Sequence, residues 1–352
     1  MSFSDVIVVF GGNSSERRVS VASGQHVLSV LDGAAAWFES PDGRIFVCGR
    51  EEIAAFARPF ENDFKPAGAA TFDSLAHALD AAGRGKAFFL GFHGTGGEDG
   101  TAQRLFEERG IAFTASGSQA SATAFDKRKT KRTVEAAGVR CAAELALPLE
   151  DEGAIARGLS ELFNKHGRVV AKPVAGGSSV GLHHLRALTD IPRAAAAIAS
   201  TGEAYLAEEF IAGRELTVGV VESASSGASS ESTHSHLRAL PCSEVRLDDG
   251  RAFDFEGKYL GKGTTEITPA EVPPEVAKAA QQVALAAHRA LGCRGYTRTD
   301  LILGNSGPVF LETNTLPGLT RASFIPQQLA AEGTSMRAFL EGQLAIARGR
   351  YT

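Results

Sequence analysis

Nothing in this sequence of 352 residues is apolar for long enough to span a membrane, which takes roughly 20 consecutive residues. Cysteine is scarce: Cys48, Cys141, Cys242 and Cys293 stand far apart, with no C-x-x-C spacing. That argues against a disulfide framework or a thiolate zinc site and suits a reducing compartment. Positive charge is not in surplus either. Lysine and arginine total 36 against 41 acidic residues, a net charge of -5, so no basic excess points to nucleic acid. The opening MSFSDVIVVFGG lacks the basic segment and small-residue cleavage site of a secretory signal, and reads as a first strand. These absences leave a soluble, cytoplasmic α/β protein. With 43% hydrophobic residues it can build real cores, and its length suggests about two or three domains.

What is present begins with a strand–loop–helix rhythm. Val6–Phe10 is a continuous apolar run ending in two glycines, the profile of a buried parallel strand. The segment after it predicts a helix capped by Ser14 or Ser15. Ala87–Phe92 predicts a second buried strand, so an open parallel sheet extends to about residue 116. A helix is expected over 119–138, short strands at Val169–Lys172 and Tyr205–Phe210, and a helix over 274–292 that opens on proline and stops at glycine. The polar, low-complexity 223–236 stretch reads as a hairpin tip without chemistry.

Two stretches carry chemistry. AKPVAGGSSVG (171–181) puts Lys172 before a run of small residues whose backbone N–H groups can close on an anion. The order is the reverse of the G-x-x-x-x-G-K-[ST] loop, so if the stretch is a phosphate cradle it belongs to a different nucleotide fold; a flexible Gly/Ser surface turn is the alternative. RTDLILGNSGPVFLETN (298–314) reads as a hairpin. If Leu303 pairs with Val309, Asp300 faces Glu312, Arg298 faces Asn314, and all four share one face. Opposed carboxylates repel, a conflict that a divalent cation removes, and Asp, Glu and Asn oxygens are what Mg²⁺ prefers.

These stretches belong to a longer series: FGGNSSERRVS (10–20), HGTGGEDG (93–100), FDKRKTK (125–131), AKPVAGGSSVG, EEFIAGREL (208–216), FDFEGKYLGKGTTEITPA (253–270), RTD (298–300) and ETNTLPGLTRASFIP (312–326). In this order they resemble the D-alanine–D-alanine ligases of the ATP-grasp superfamily over nearly the whole chain. The resemblance implies a three-domain ATP-grasp fold. A Rossmann-like open parallel sheet would occupy 1–116, a central domain 117–211 and a C-terminal domain 212–352, with ATP held between the last two. It also implies a reaction in which ATP phosphorylates the carboxylate of one D-alanine and the amine of a second attacks the acyl phosphate.

The resemblance implies roles for particular residues as well. Asp300, Glu312 and Asn314 would hold Mg²⁺ or Mn²⁺. Lys127, Lys172, Lys258 and Ser179 would contact phosphates. Glu208, the backbone at Glu209 and Ile211, and Glu215 would hold adenine and ribose. Arg298 and the Gly318 N–H would form an oxyanion hole. Glu16 would pair with the first substrate's ammonium and Ser323 with the second's carboxylate, while Tyr259 and Ser178 latch a loop. His93 and Glu98 would line the same cleft. Arg18, Arg321 and Phe324 depart from the family pattern on the substrate side, so a hydroxy acid or another amino acid is the alternative acceptor. A silent nucleotide-binding homologue is disfavoured by the paired acids, and a dinucleotide dehydrogenase by the lack of G-x-G-x-x-G. A homodimer is expected, with no membrane or nucleic-acid partner.

Overall fold

The computed structural model describes residues 3–149, 151–177, 180–223, 236–247 and 264–350. Among these the strands form three sheets. The first contains β1 (Val6–Gly11), β2 (Ala35–Glu39), β3 (Ile45–Cys48), β4 (Ala87–Leu90) and β5 (Ala112–Phe113), in the order β3-β2-β1-β4-β5. Only β3 runs antiparallel to its neighbour. Helices α1 (Arg17–Val30), α2 (Arg50–Ala55), α3 (Leu75–Ala82) and α4 (Thr101–Arg109) connect these strands. Every residue of β1 and β4 is buried, which is why both read as unbroken apolar runs.

Next come α5 (Ser118–Phe125) and α6 (Lys127–Ala136), where the sequence predicted one helix. The break is Asp126: its backbone is extended and its side chain accepts from the N–H groups of Arg128 and Lys129, capping α6. A cap can be read only as a possibility when helical spacing continues on both sides of it. The helices share apolar core with the third sheet, through Ala120, Ala124 and Val134 against Val218, Leu301 and Phe310. The expected serine cap of α1 is not made. Glu16 holds the cap position without a side-chain bond, and Ser14 Oγ accepts from the Glu16 N–H instead.

The second sheet is antiparallel: β6 (Glu144–Ala146), β7 (Val169–Pro173), β8 (His183–Leu185) and β9 (Tyr205–Glu209), ordered β6-β9-β7-β8. Helices α7 (Glu152–His166) and α8 (Ile191–Ala199) bury Ile155, Leu159, Ala195 and Ile198 against it. The third sheet holds β10 (Arg214–Ser223), β11 (His236–Ala239), β12 (Ser243–Leu247), β13 (Thr264–Ile267), β14 (Tyr296–Gly304) and β15 (Gly307–Asn314). Its order is β13-β12-β10-β14-β15, with β11 also on β10. Helix α9 (Pro274–Ala290) turns Ala280, Ala284 and Ala287 to this sheet, small side chains that permit close approach. Finally α10 (Phe324–Ala331) and α11 (Met336–Gly349) return to the first sheet's core, where Tyr296 of β14 lies between Phe89 and Phe339. That return fixes the third sheet's hairpin against the loops of the first.

Candidate active site

The second and third sheets enclose a cleft of ≈ 900 Å³. Lys172, Glu208, Glu209 and Ile211 line it from one side, and Glu215, Asp300 and Glu312 from the other. One end is apolar, with Val170, Phe210, Ile211, Ile302 and Leu311. There the Arg168 guanidinium lies 3.8 Å from the centroid of the Phe210 ring, a cation–π contact. The N–H of Ile211 finds no acceptor among the described residues, so it is open to a ligand. Glu209 differs: its N–H is donated to Ala143 O and its carboxylate is engaged by Ala143 N–H and His166, leaving its carbonyl as the group open to a ligand.

Glu208 is more deeply held than its sequence context suggested. Lys172 Nζ lies 2.6 Å and Lys131 Nζ 2.9 Å from its oxygens. Lys131 is buried, donates also to Ala142 O at 2.8 Å, and has Glu144 at 3.1 Å. Burial raises the Glu208 pKa, but the two ammonium groups outweigh it and hold the carboxyl below its ordinary value. Sequence reading missed Lys131, as it missed Arg168 and Phe210. The available signal was a lysine four residues after Lys127, which puts both on one face of α6.

On the β14–β15 hairpin the expected face forms by an unexpected register. Leu303 pairs with Pro308 rather than Val309. A bulge at Leu301 then adds one residue to β15, so Asp300 does face Glu312 and Arg298 does face Asn314. Asp300 is not left opposing an acid alone. Arg298 Nε and Nη2 reach its two oxygens at 3.0 and 2.7 Å, and Thr217 Oγ1 donates to it at 2.8 Å. Glu312 is half-buried with no hydrogen-bond or ion-pair partner among the described residues. Those residues contain no cluster of three or more His, Cys, Asp or Glu side chains spaced for a metal. The donors on offer are two carboxylates and one amide, a hard oxygen set that suits Mg²⁺.

A second, smaller cavity adjoins the cleft and shares Lys127, Gly176, Gly177 and Glu312 with it. Lys127 Nζ donates to Gly176 O at 2.6 Å, which fixes it at the junction. Glu16, His93, Glu98, Arg298, Asn314 and Gly318 line the cavity. Gly94, at φ +71°, packs so tightly that an added Cβ would overlap Ser14 and lie 2.9 Å from Glu16 Oε2. Ser23 Oγ joins His93 Nε2 at 2.9 Å and accepts from Leu319 N–H at 3.2 Å, tying α1 to the loop that carries Gly318. Burial pushes the His93 pKa down to about 4, so the ring is neutral at physiological pH. No described group accepts the N–H of Gly318.

Burial, then the nearby Glu16, push the Glu98 carboxyl up to about 8. A raised carboxyl pKa means that the folded chain holds a proton the unfolded chain gives up above about 4.5. Stability from this group is therefore full below that pH and is lost as pH rises toward 8. Glu98→Gln should raise the unfolding midpoint at pH 8 and leave it nearly unchanged at pH 5. Parallel thermal melts at the two pH values check this.

Not every expected residue reaches the cavity. Ser323 packs beside Gly318, but its Oγ bonds to Thr320 and does not line the space. Arg18 turns away to Asp63, 3.0 Å off, which removes it from the ammonium end. Arg321 is exposed, and Phe324 is buried beneath Arg298 with ring centroid and guanidinium 5.9 Å apart. Ser178, Ser179, Lys258, Tyr259 and most of the 223–236 stretch lie outside the described residues.

Comparison with known proteins identifies the family. Residues 5–116 fit the model of the D-ala D-ala ligase N-terminus, and residues 163–344 that of the D-ala D-ala ligase C-terminus. A D-alanine–D-alanine ligase of Leptospira interrogans is 33% identical, over 97% of both chains. One from Acidiphilium cryptum is 37% identical over 95% of each. Among solved structures, the VanG D-Ala:D-Ser ligase of Enterococcus faecalis superposes with a TM-score of 0.77 at 25% identity, covering 97% of this chain and 98% of that one. The D-alanine–D-alanine ligase of Coxiella burnetii shares the fold, with a TM-score of 0.77 at 23% identity, covering 98% of this chain and 94% of that one. With its ATP-grasp fold and both family models matched across most of its length, the chain belongs to the D-alanine–D-alanine ligase family.

Proposed function

We propose that this protein joins two D-alanine molecules in an ATP-dependent reaction, through a D-alanyl phosphate, to supply D-alanyl-D-alanine for peptidoglycan precursors. The observation that carries the reading is the junction of the two cavities at Lys127 and Glu312, with Arg298 and the unengaged Gly318 N–H lining the smaller one. Adenine fits the apolar end of the cleft, with the Ile211 N–H as a donor. The Glu208 carboxylate, already ionised by its two lysines, accepts from a polar edge of the nucleotide. Lys127 and Lys172 lie toward the phosphates. Asp300, Glu312 and Asn314 would hold magnesium. When bound, that ion would supply positive charge to offset that of the phosphates.

In the smaller cavity Glu16, beside Glu98, receives the first D-alanine's ammonium. Arg298 and the Gly318 N–H then stabilise the oxygen that becomes negative as the second amine attacks. His93, neutral and held by Ser23, contributes a fixed dipole rather than a charge. Work on ATP and cell-wall precursors suits a cytoplasmic enzyme, and the family resemblance favours a homodimer. Incubation with ATP, Mg²⁺ and a panel of D- and L-amino acids and D-lactate, with phosphate release as readout, tests the reading. D-alanine alone should support turnover, whereas activity only with another acceptor, D-serine included, would overturn it.

Arg298→Ala separates two roles for the guanidinium. Loss of an oxyanion donor typically lowers kcat by about 10²–10³. Steady-state kinetics should show such a fall with a smaller rise in KM for ATP. An effect on ATP binding alone would make Arg298 a phosphate clamp.

A further inference from the structure

A third cavity, ≈ 320 Å³, lies at the carboxyl ends of β1, β2 and β4 and shares only His93 with the candidate active site. Topology creates it. The chain leaves β1 toward β2 on one side and reaches β4 on the other, so the following loops diverge and leave a crevice. Its apolar lining includes Leu75, Phe92, Ala102 and Leu105.

Glu39, the last residue of β2, lines the same cavity, its Oε2 3.9 Å from where a Cβ on Gly12 would stand. The backbone carbonyl of Glu39 accepts from the Gly12 N–H at 2.7 Å, but no described residue bonds or pairs with its carboxylate. Burial pushes the Glu39 carboxyl up to about 7. The other acid of the lining, Asp42, is already bound by Arg44 and Ser40. No lysine or arginine lines the cavity. A poorly hydrated carboxylate without a counter-ion is unfavourable, and a ligand cation relieves it. A bare metal ion would find one unpaired carboxylate, with Asp42 already held by Arg44 and only neutral polar groups such as Asn13, Thr95 and Thr101 besides, whereas an ammonium on a hydrocarbon stem uses both Glu39 and the apolar side chains.

We propose that this cavity is a second small-molecule site that takes a short aliphatic primary amine, its ammonium on Glu39 and its stem against Leu75, Phe92 and Leu105. It stands apart from the ligase reading, since Glu39 takes no part in the proposed chemistry. The loop that walls it, residues 92–97, also carries His93 and sets Gly94 against Glu16, so an amine bound there would brace the substrate cavity from behind.

The test is isothermal titration of the full chain with isobutylammonium chloride. Saturable binding at one site per chain is expected, weakened at least about tenfold in Glu39→Gln, because a charged hydrogen bond is lost. Isobutanol, of the same shape without the charge, should give no binding. Thr101→Phe, which places a ring at the exposed rim, should block the amine without disturbing the core. Glu16→Gln should leave the affinity within about twofold, since Glu16 lies outside this cavity. Absence of saturable binding, equal affinity in Glu39→Gln and wild type, or loss of binding in Glu16→Gln instead would each overturn the proposal.

Discussion

Glu312→Gln should lower kcat by about 10³-fold while the fold and unfolding midpoint stay close to wild type. Glu312 lines both the cleft and the smaller cavity, on the hairpin face it shares with Arg298, Asp300 and Asn314. It has no described partner, so removing its charge leaves nothing unpaired and the native state loses little. What changes is the site's capacity to offset cationic charge beside the phosphates. Glutamine keeps the shape and one carbonyl oxygen but carries no negative charge. Since each 1.36 kcal/mol of lost transition-state stabilisation is tenfold in rate, a deficit of several kcal/mol gives the stated fall. Phosphate release at saturating ATP, D-alanine and Mg²⁺ measures it. A rate near wild type would show that this face does not hold the metal.

Lys131→Met should destabilise the protein by about 3–5 kcal/mol, the usual result of removing one partner from a buried ion pair. The ammonium is buried between Glu208 and Glu144 and also satisfies the carbonyl of Ala142. Methionine fills similar volume but leaves Glu208 with Lys172 alone, at the floor of the cleft. The KM for ATP should rise with the loss of stability, because Lys172 would then be the one ammonium left on Glu208 and less free to meet a ligand. Urea denaturation gives the first quantity and steady-state kinetics the second. The double variant Lys131→Met, Glu208→Gln should recover much of the stability, since the buried charge has gone. A loss below about 1 kcal/mol in the single variant would mean that Lys131 serves only as packing.

How much could be read in advance depended on the range of the interaction. The hairpin was legible because alternation is a two-residue rule, and apolar positions with turn residues between them mark both strands. The bulge was not. β14 keeps unbroken register against β10, while on the far side of β15 the Phe310 N–H donates to Arg140 O, a partner remote in sequence, and no local feature of Leu301 or Leu311 announces the extra residue. Two errors cancelled at that point, an assumed Leu303–Val309 pair and an unseen extra residue, so the predicted neighbours of Asp300 and Arg298 were right for an incomplete reason. The break at Asp126 is similar. Aspartate is a good cap wherever a helix begins, but whether a new helix begins there depends on how the two segments pack on the third sheet.

By itself the sequence determined the class of the protein, the strands and helices with unbroken apolar periodicity, and the residues whose order carries the family resemblance. These follow from backbone geometry and side-chain chemistry within a few residues of each point. The tertiary structure alone decided which charges meet. Lys131 reaches Glu208 across 77 positions, Arg18 is drawn off to Asp63 across 45, and Ser23 reaches Leu319 N–H across 296. Such pairs form when sheets and helices built for other reasons bring their faces together, and the low dielectric of the buried space then makes each pairing matter. Glu39 shows the converse. Placed at the end of β2 by an ordinary strand pattern, it became an unpaired carboxylate only because the loops after β1 and β4 part above it.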